Sequence, residues 1–164
     1  MPAGVRRSGR REVTYGEQGL RLLPLTRFGN SARYWRIKSI SVAGTFLEIS
    51  EVQFCAGGTR QTGTLASSDV PGLGAITDLN DNVLTTRCYW NNAVAVAAGF
   101  WIRMDLGSAK VIDGIKLGGF DTTNRYPTAF TLEKSTDNSI WTAVGSVSGL
   151  SYPGNNTLSS TISF

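Results

Sequence analysis

Residues Phe100, Ile102, Met104 and Leu106 alternate with Trp101, Arg103 and Asp105, the two-residue period of a strand with one buried face. Gly107 and the Asp137-Asn138-Ser139 cluster punctuate the chain as turns, and between them run 126–135 and 140–144 as further strand segments. Upstream, Tyr34–Val42 and Phe46–Phe54 predict two strands joined by a short hairpin turn at Ala43-Gly44-Thr45. The second breaks its own rhythm: Leu47 and Ile49 share one face, Val52 and Phe54 the other. A phase change between Ser50 and Glu51 predicts a β-bulge that re-aims Glu51. Residues 55–75, rich in Gly, Thr and Ser and turning at Pro71-Gly72, form a connector. Residues 157–164 close the chain as a final strand, with Leu158, Ile162 and Phe164 on one face. The pattern predicts an all-β protein of about eight strands in two antiparallel sheets.

Composition sharpens this picture. Hydrophobic residues make up 41 % of the 164, enough for one packed domain, and the 19 glycines suit a turn-rich all-β chain. No apolar run approaches the ~18 residues of a membrane span. Charge is unevenly placed: residues 1–33 hold seven arginines against Glu12 and Glu17, and the remainder is near neutral. The division is therefore a basic arm over 1–33 and a sandwich over 34–164. In the arm Leu20, Leu22, Leu23, Leu25 and Phe28 are apolar anchors, with Pro24 blocking a regular helix. Such a segment gains order by packing on its own domain or on other subunits. A near-neutral sandwich argues against nucleic-acid binding through the folded surface. No apolar stretch follows the N-terminal arginines, so no signal peptide is expected. Cys55 and Cys88 then read as reduced thiols.

Four phrases identify a resemblance. Trp101-Ile-Arg-Met-Asp-Leu-Gly, Ile112-Asp-Gly-Ile, Pro127-Thr-Ala-Phe-Thr-Leu-Glu-Lys-Ser-Thr-Asp and Trp141-Thr-Ala-Val stand in the order found in the discoidin, or coagulation-factor C-type, family. The resemblance implies a galactose-binding-like, jelly-roll-like β-sandwich that binds ligands and is not an enzyme. Tyr34-Trp-Arg-Ile and Ile49-Ser-Glu-Val-Gln-Phe are similar to the pair of strands that usually ends the domain. Here they come first, so the order reads as circularly permuted. Comparable ordering occurs in similar domains of bacteriophage structural proteins, which implies a virion location.

The loop Asp78-Leu-Asn80-Asp81-Asn82, followed by Thr86 and Trp90, resembles the family loop A-x-D-G-N-x-x-T-x-W that wraps calcium in many members, with Leu79 standing where the family has Gly. The resemblance implies calcium held by Asp78, Asn80, Thr86 and Glu51, as a hard cation wants six to eight oxygens. The bland reading is Asp and Asn capping a turn. Tyr89, Trp90, Arg125 and Tyr126 fall in loops and are the ligand candidates, whereas Trp101 and Trp141 occupy structural positions. The chain has no histidine, which removes the commonest general base. The expected protein is a non-enzymatic virion component. Its arm anchors it to other virion proteins, and its sandwich, as a homo-oligomer, meets a cell-surface glycan. The alternative is a capsid or tail decoration protein that uses the same fold structurally.

Overall fold

A computed structural model of the protein describes residues 30–91 and 99–164. Leu20, Leu22, Leu23, Leu25 and Phe28 lie outside the described residues. The strands are β1 (Ser31–Val42), β2 (Phe46–Ile49), β3 (Glu51–Ala56), β4 (Thr59–Arg60), β5 (Thr64–Ser67), β6 (Cys88–Asn91), β7 (Trp101–Val111), β8 (Gly114–Gly119), β9 (Pro127–Ser135), β10 (Thr142–Ser148), β11 (Thr157–Leu158) and β12 (Ile162–Ser163). One sheet runs β10-β9-β1-β7-β5. A second runs β11-β8-β3-β4, with β12 also on β8, and β2 pairs β6 in a two-stranded ribbon. All pairings are antiparallel. The architecture is an all-β sandwich.

The alternation in β7 folds as its pattern predicts: Phe100, Ile102, Met104 and Leu106 are buried. They meet Trp35 and Ile37 of β1, Phe130 and Leu132 of β9, Val52 and Phe54 of β3, and Ile115 and Leu117 of β8 in one core. Burying each such side chain stabilises the fold by about 1.5–3 kcal/mol. Trp35 is wholly buried, and its indole N–H donates to the Ala32 carbonyl at 2.9 Å, so the polar edge of the ring is satisfied.

The first strands enter both sheets. β1 lies between β7 and β9, and β3 pairs with β8, so residues 31–56 complete sheets built from the second half of the chain. The 34–42 and 46–54 segments do not pair with each other, however, and the expected hairpin at 43–45 is a crossing between sheets. The expected bulge at Ser50–Glu51 is also a change of partner: β2 follows β6 up to Ile49, and β3 follows β8 from Glu51. The Ser50 N–H spans the break, donating to the Gly118 carbonyl at 3.1 Å. A strand that leaves one partner for another must rotate its faces, which is why the hydrophobic phase slips there. The 55–75 segment holds β4 and the edge strand β5, and the last stretch is two short strands on β8 where one was expected. β1 starts at Ser31, with Ala32 buried and Arg33 bonded to Asp105 at 2.7 and 2.8 Å, so 31–33 belong to the sheet and not to the arm.

Candidate functional site

The β2–β6 ribbon has two unlike faces. Leu47, Ile49, Cys88 and Trp90 point into the core. Phe46, Glu48 and Tyr89 share the other face, with Phe46 and Tyr89 half-buried and their rings 4.7 Å apart. Glu48 is only 1 % exposed, because two guanidinium groups close over it. Arg87 lies 2.7 Å from one carboxylate oxygen and Arg125 lies 2.9 Å from the other. Arg125 also reaches Asp121 at 3.2 Å. Arg87 stacks over Phe120 at 4.3 Å from the ring centre, and Arg125 over Phe46 at 5.6 Å. The Arg125 guanidinium is held further above its ordinary pKa by its hydrogen bond to Glu48, so it stays charged throughout.

Local sequence fixes Arg125. It ends the 3-10 turn Thr123–Arg125, whose N-cap Thr122 accepts from the Asn124 N–H. Gly44, in the crossing between β1 and β2, donates its N–H to the Asn124 carbonyl at 2.7 Å. A Cβ at Gly44 would sit 2.5 Å from that oxygen, so only glycine lets the two loops meet. The result is a shallow platform of paired rings flanked by two guanidinium forks, each about one-third exposed. Rings of this kind stack on apolar ligand faces, and guanidinium groups donate to hydroxyl or carboxylate oxygens.

The residues proposed for calcium lie next door, and they are only partly brought together. Every side chain of β3 from Glu51 to Cys55 is buried. Val52 and Phe54 face the core, and Glu51 and Gln53 face the other way, beneath the 3-10 turn Ile76–Asn80 and the residues after it. Asn80 ties this loop down, its side-chain amide donating to the Val52 carbonyl at 3.1 Å. Glu51 accepts from the Asn82 N–H and from the Gln53 amide, both at 3.3 Å. Burial pushes its carboxyl up to about 7 against the lowering effect of these donors and of Arg60. Glu51 therefore does meet the loop across a long stretch of chain, as the motif implies.

Asp78 and Thr86 do not join it. Asp78 accepts from the Ala75 N–H at 2.9 Å and caps its own turn. The Thr86 hydroxyl donates to the Val83 carbonyl at 2.9 Å and to Asp81 at 3.3 Å, and Asp81 accepts from the Val83 N–H at 2.8 Å. Asn82, at φ 66°, takes the left-handed position a motif glycine would supply. Asp81-Asn82 thus plays the Asp-Gly part, three residues beyond the pair named from sequence. The oxygens that do converge, from Glu51 and Asn80, close on the guanidinium of Arg60. Glu51 and Asn80 thus share Arg60, while Asp78 and Thr86 bond within their own turn. Among the described residues no three acidic or cysteine side chains are grouped to hold a metal.

Of the four ligand candidates, Tyr89 and Arg125 stand on the platform, but Trp90 and Tyr126 are 1 % and 2 % exposed and belong to the core. Apolar neighbours in the sandwich claim both rings: Trp90 stands on β6 and not in a loop, while Tyr126 does lie in the loop between the Thr123–Arg125 turn and β9 but turns its ring into the core. Trp101 and Trp141 are half-buried on the outer face of the five-stranded sheet. Arg103 lies 5.2 Å from the Trp101 ring centre and Arg36 lies 4.0 Å from that of Trp141. Cys55 and Cys88 are free and buried, and burial raises the Cys88 thiol to about 12, which disfavours its thiolate. Sequence reasoning missed Phe46, Glu48, Arg87 and Arg60. A charged Glu48 between Leu47 and Ile49, on a strand that otherwise reads as apolar, was the available signal.

Comparison with known proteins gives a match of residues 63–164 to the family model of the F5/8 type C domain. No curated protein and no solved structure matches the chain.

Proposed function

Because the chain belongs to the F5/8 type C domain family, whose members are generally non-catalytic binding modules, we propose that it is a non-enzymatic glycan-binding protein of a phage particle, anchored by its N-terminal arm. The observation that carries this reading is the platform: the half-buried Phe46–Tyr89 ring pair between Arg87 and Arg125, both held by one buried glutamate. A sugar ring stacks its C–H face on the aromatic pair, and the guanidinium forks take its hydroxyl or carboxylate oxygens.

The virion reading is supported by strand order. The strands before residue 63 join both sheets from the N-terminal side, and the sequence order of these strands is similar to that of phage structural domains. The arm's arginines and its leucines then serve attachment to neighbouring virion proteins. Small binding modules of this kind gain avidity by being displayed in several copies.

The test is a glycan array probed with the full chain, together with an incorporation assay on particles made with a chain lacking residues 2–29. Binding to a defined glycan class, with loss of incorporation on truncation, supports the proposal. Normal incorporation of the truncated chain contradicts the anchor. No glycan binding by a folded, incorporated chain favours the decoration role instead.

A further inference from the structure

The cradle beneath the Ile76–Asn80 turn has a cation in it already. Arg60 sits on β4, which returns along β3 after a two-residue turn at Gly57-Gly58. Both glycines have positive φ, 55° and 78°, the backbone of a tight hairpin that L-residues with side chains adopt poorly. The hairpin places Arg60 opposite Cys55 and carries its guanidinium over Glu51. A single nitrogen, Nη1, donates to the Asn80 carbonyl at 2.7 Å and to the Asn80 side-chain oxygen at 3.2 Å, and lies 3.5 Å from Glu51 Oε1. Three oxygens from two separate elements therefore share one positive atom.

We propose that the Arg60 guanidinium is the built-in cation of this loop, standing where the motif would set calcium, so that the domain holds residues 76–86 in place without a metal. A dication placed among these oxygens would coincide with Nη1. It would also lack partners: a hard cation needs about six to eight oxygens. Asp78 accepts from the Ala75 N–H, Asp81 accepts from the Val83 N–H and the Thr86 hydroxyl, and Thr86 donates to the Val83 carbonyl, so these side chains are engaged within their own turn. The Gln53 amide reinforces the point. It turns its NH2 to both Glu51 and the Asn82 side-chain oxygen at 3.3 Å, offering donors where a metal shell requires acceptors. Arginine suits the role because its charge is permanent and its planar fork serves several oxygens at once.

The experiment is thermal melting of the full chain in excess EDTA and in millimolar calcium, with Arg60→Lys and Arg60→Met measured beside the wild type. The wild-type midpoint is expected to be the same in both buffers. Arg60→Met, similar in bulk but neutral, is expected to melt about 4–8 °C lower. Arg60→Lys keeps a cation and is expected to recover at least half of that loss. A wild-type midpoint that rises in calcium by a few degrees overturns the proposal, because a ligand that binds only the folded state must shift melting. Equal midpoints for the Lys and Met variants overturn it as well, since the charge would then be idle. Should the Met variant fail to fold, a Lys variant that fails with it gives the same contrary answer.

Discussion

Glu48 and Glu51 sit three residues apart, both almost fully buried, and the structure solves the cost of burying them in two ways. Glu48 gains two close guanidinium partners, Arg87 and Arg125, whose outer parts remain in water. Removing the carboxylate leaves two cations facing each other at the ribbon surface. Glu48→Ala should cost about 2–3 kcal/mol in chemical denaturation, the low end of breaking a buried pair because the arginines can re-solvate. Glu51 has one guanidinium, at 3.5 Å, and neutral donors at 3.3 Å, so burial dominates and its carboxyl rises to about 7. Asp81 adds to that rise, while Arg60, Gln53 and Asn82 oppose it. An unfolded Glu titrates near ~4.3, so the folded state holds the proton more tightly between the two values. The stability this contributes is full below about pH 4 and is lost as pH rises through about 7. Melting midpoints measured across that range should show the decline in the wild type and a flatter profile in Glu51→Gln. Parallel profiles would mean that Glu51 is not the titrating group.

At the scale of elements, what could be recognised from sequence was whatever a local period or a fixed phrase encodes. The β7 alternation needs only one buried face, and the four phrases from Trp101 to Val144 each mark a strand by its own local pattern, although β7 and β8 take their partners β1, β5 and β3 from far earlier in the chain. Partner choice is not local. The slip between Ile49 and Glu51 was visible, but a bulge and a change of sheet leave the same trace in sequence. The candidate site divides along the same line. Arg125 was recognisable as a loop charge and Tyr89 as a ligand ring, although Tyr89 stands on strand β6 and not in a loop, whereas the burial of Trp90 and Tyr126 depends on which elements close over them. Arg60 is a single basic residue in a Gly/Thr stretch, and only the Gly57-Gly58 turn directs it to Glu51. Gly44 is the joint between two such elements. Gly44→Ala must push the Asn124 carbonyl away from a 2.5 Å approach, at a cost of about 1–3 kcal/mol. It should displace the turn that carries Arg125, so ligand affinity falls along with the melting temperature. A variant with lowered stability and full affinity would show that Arg125 is positioned by something else.

For the whole molecule, the sandwich already includes Ser31 to Arg33, since β1 begins at Ser31 and Ala32 enters the core. A chain starting at residue 30 keeps the whole of β1 and serves as the reference. Starting at residue 34 exposes core and removes the Arg33–Asp105 pair. That exposed pair is itself worth only ~0.2–1 kcal/mol, so most of the loss, readable as a lower midpoint in calorimetry, should come from Ala32 and the first β1 pairings. Identical melting of the two truncated chains would move the domain boundary back to 33. The sandwich supports the half-buried Phe46–Tyr89 platform at the β2–β6 ribbon, on which we propose that a glycan sits. The most direct measurement is the affinity of the wild type and of Tyr89→Ala for the best glycan on an array, with both proteins checked for equal melting. A loss of about 30-fold is expected on removing the ring, the effect of deleting an aromatic anchor worth ~2 kcal/mol. Undiminished affinity in a folded Tyr89→Ala protein would contradict it and place the ligand elsewhere on the sandwich.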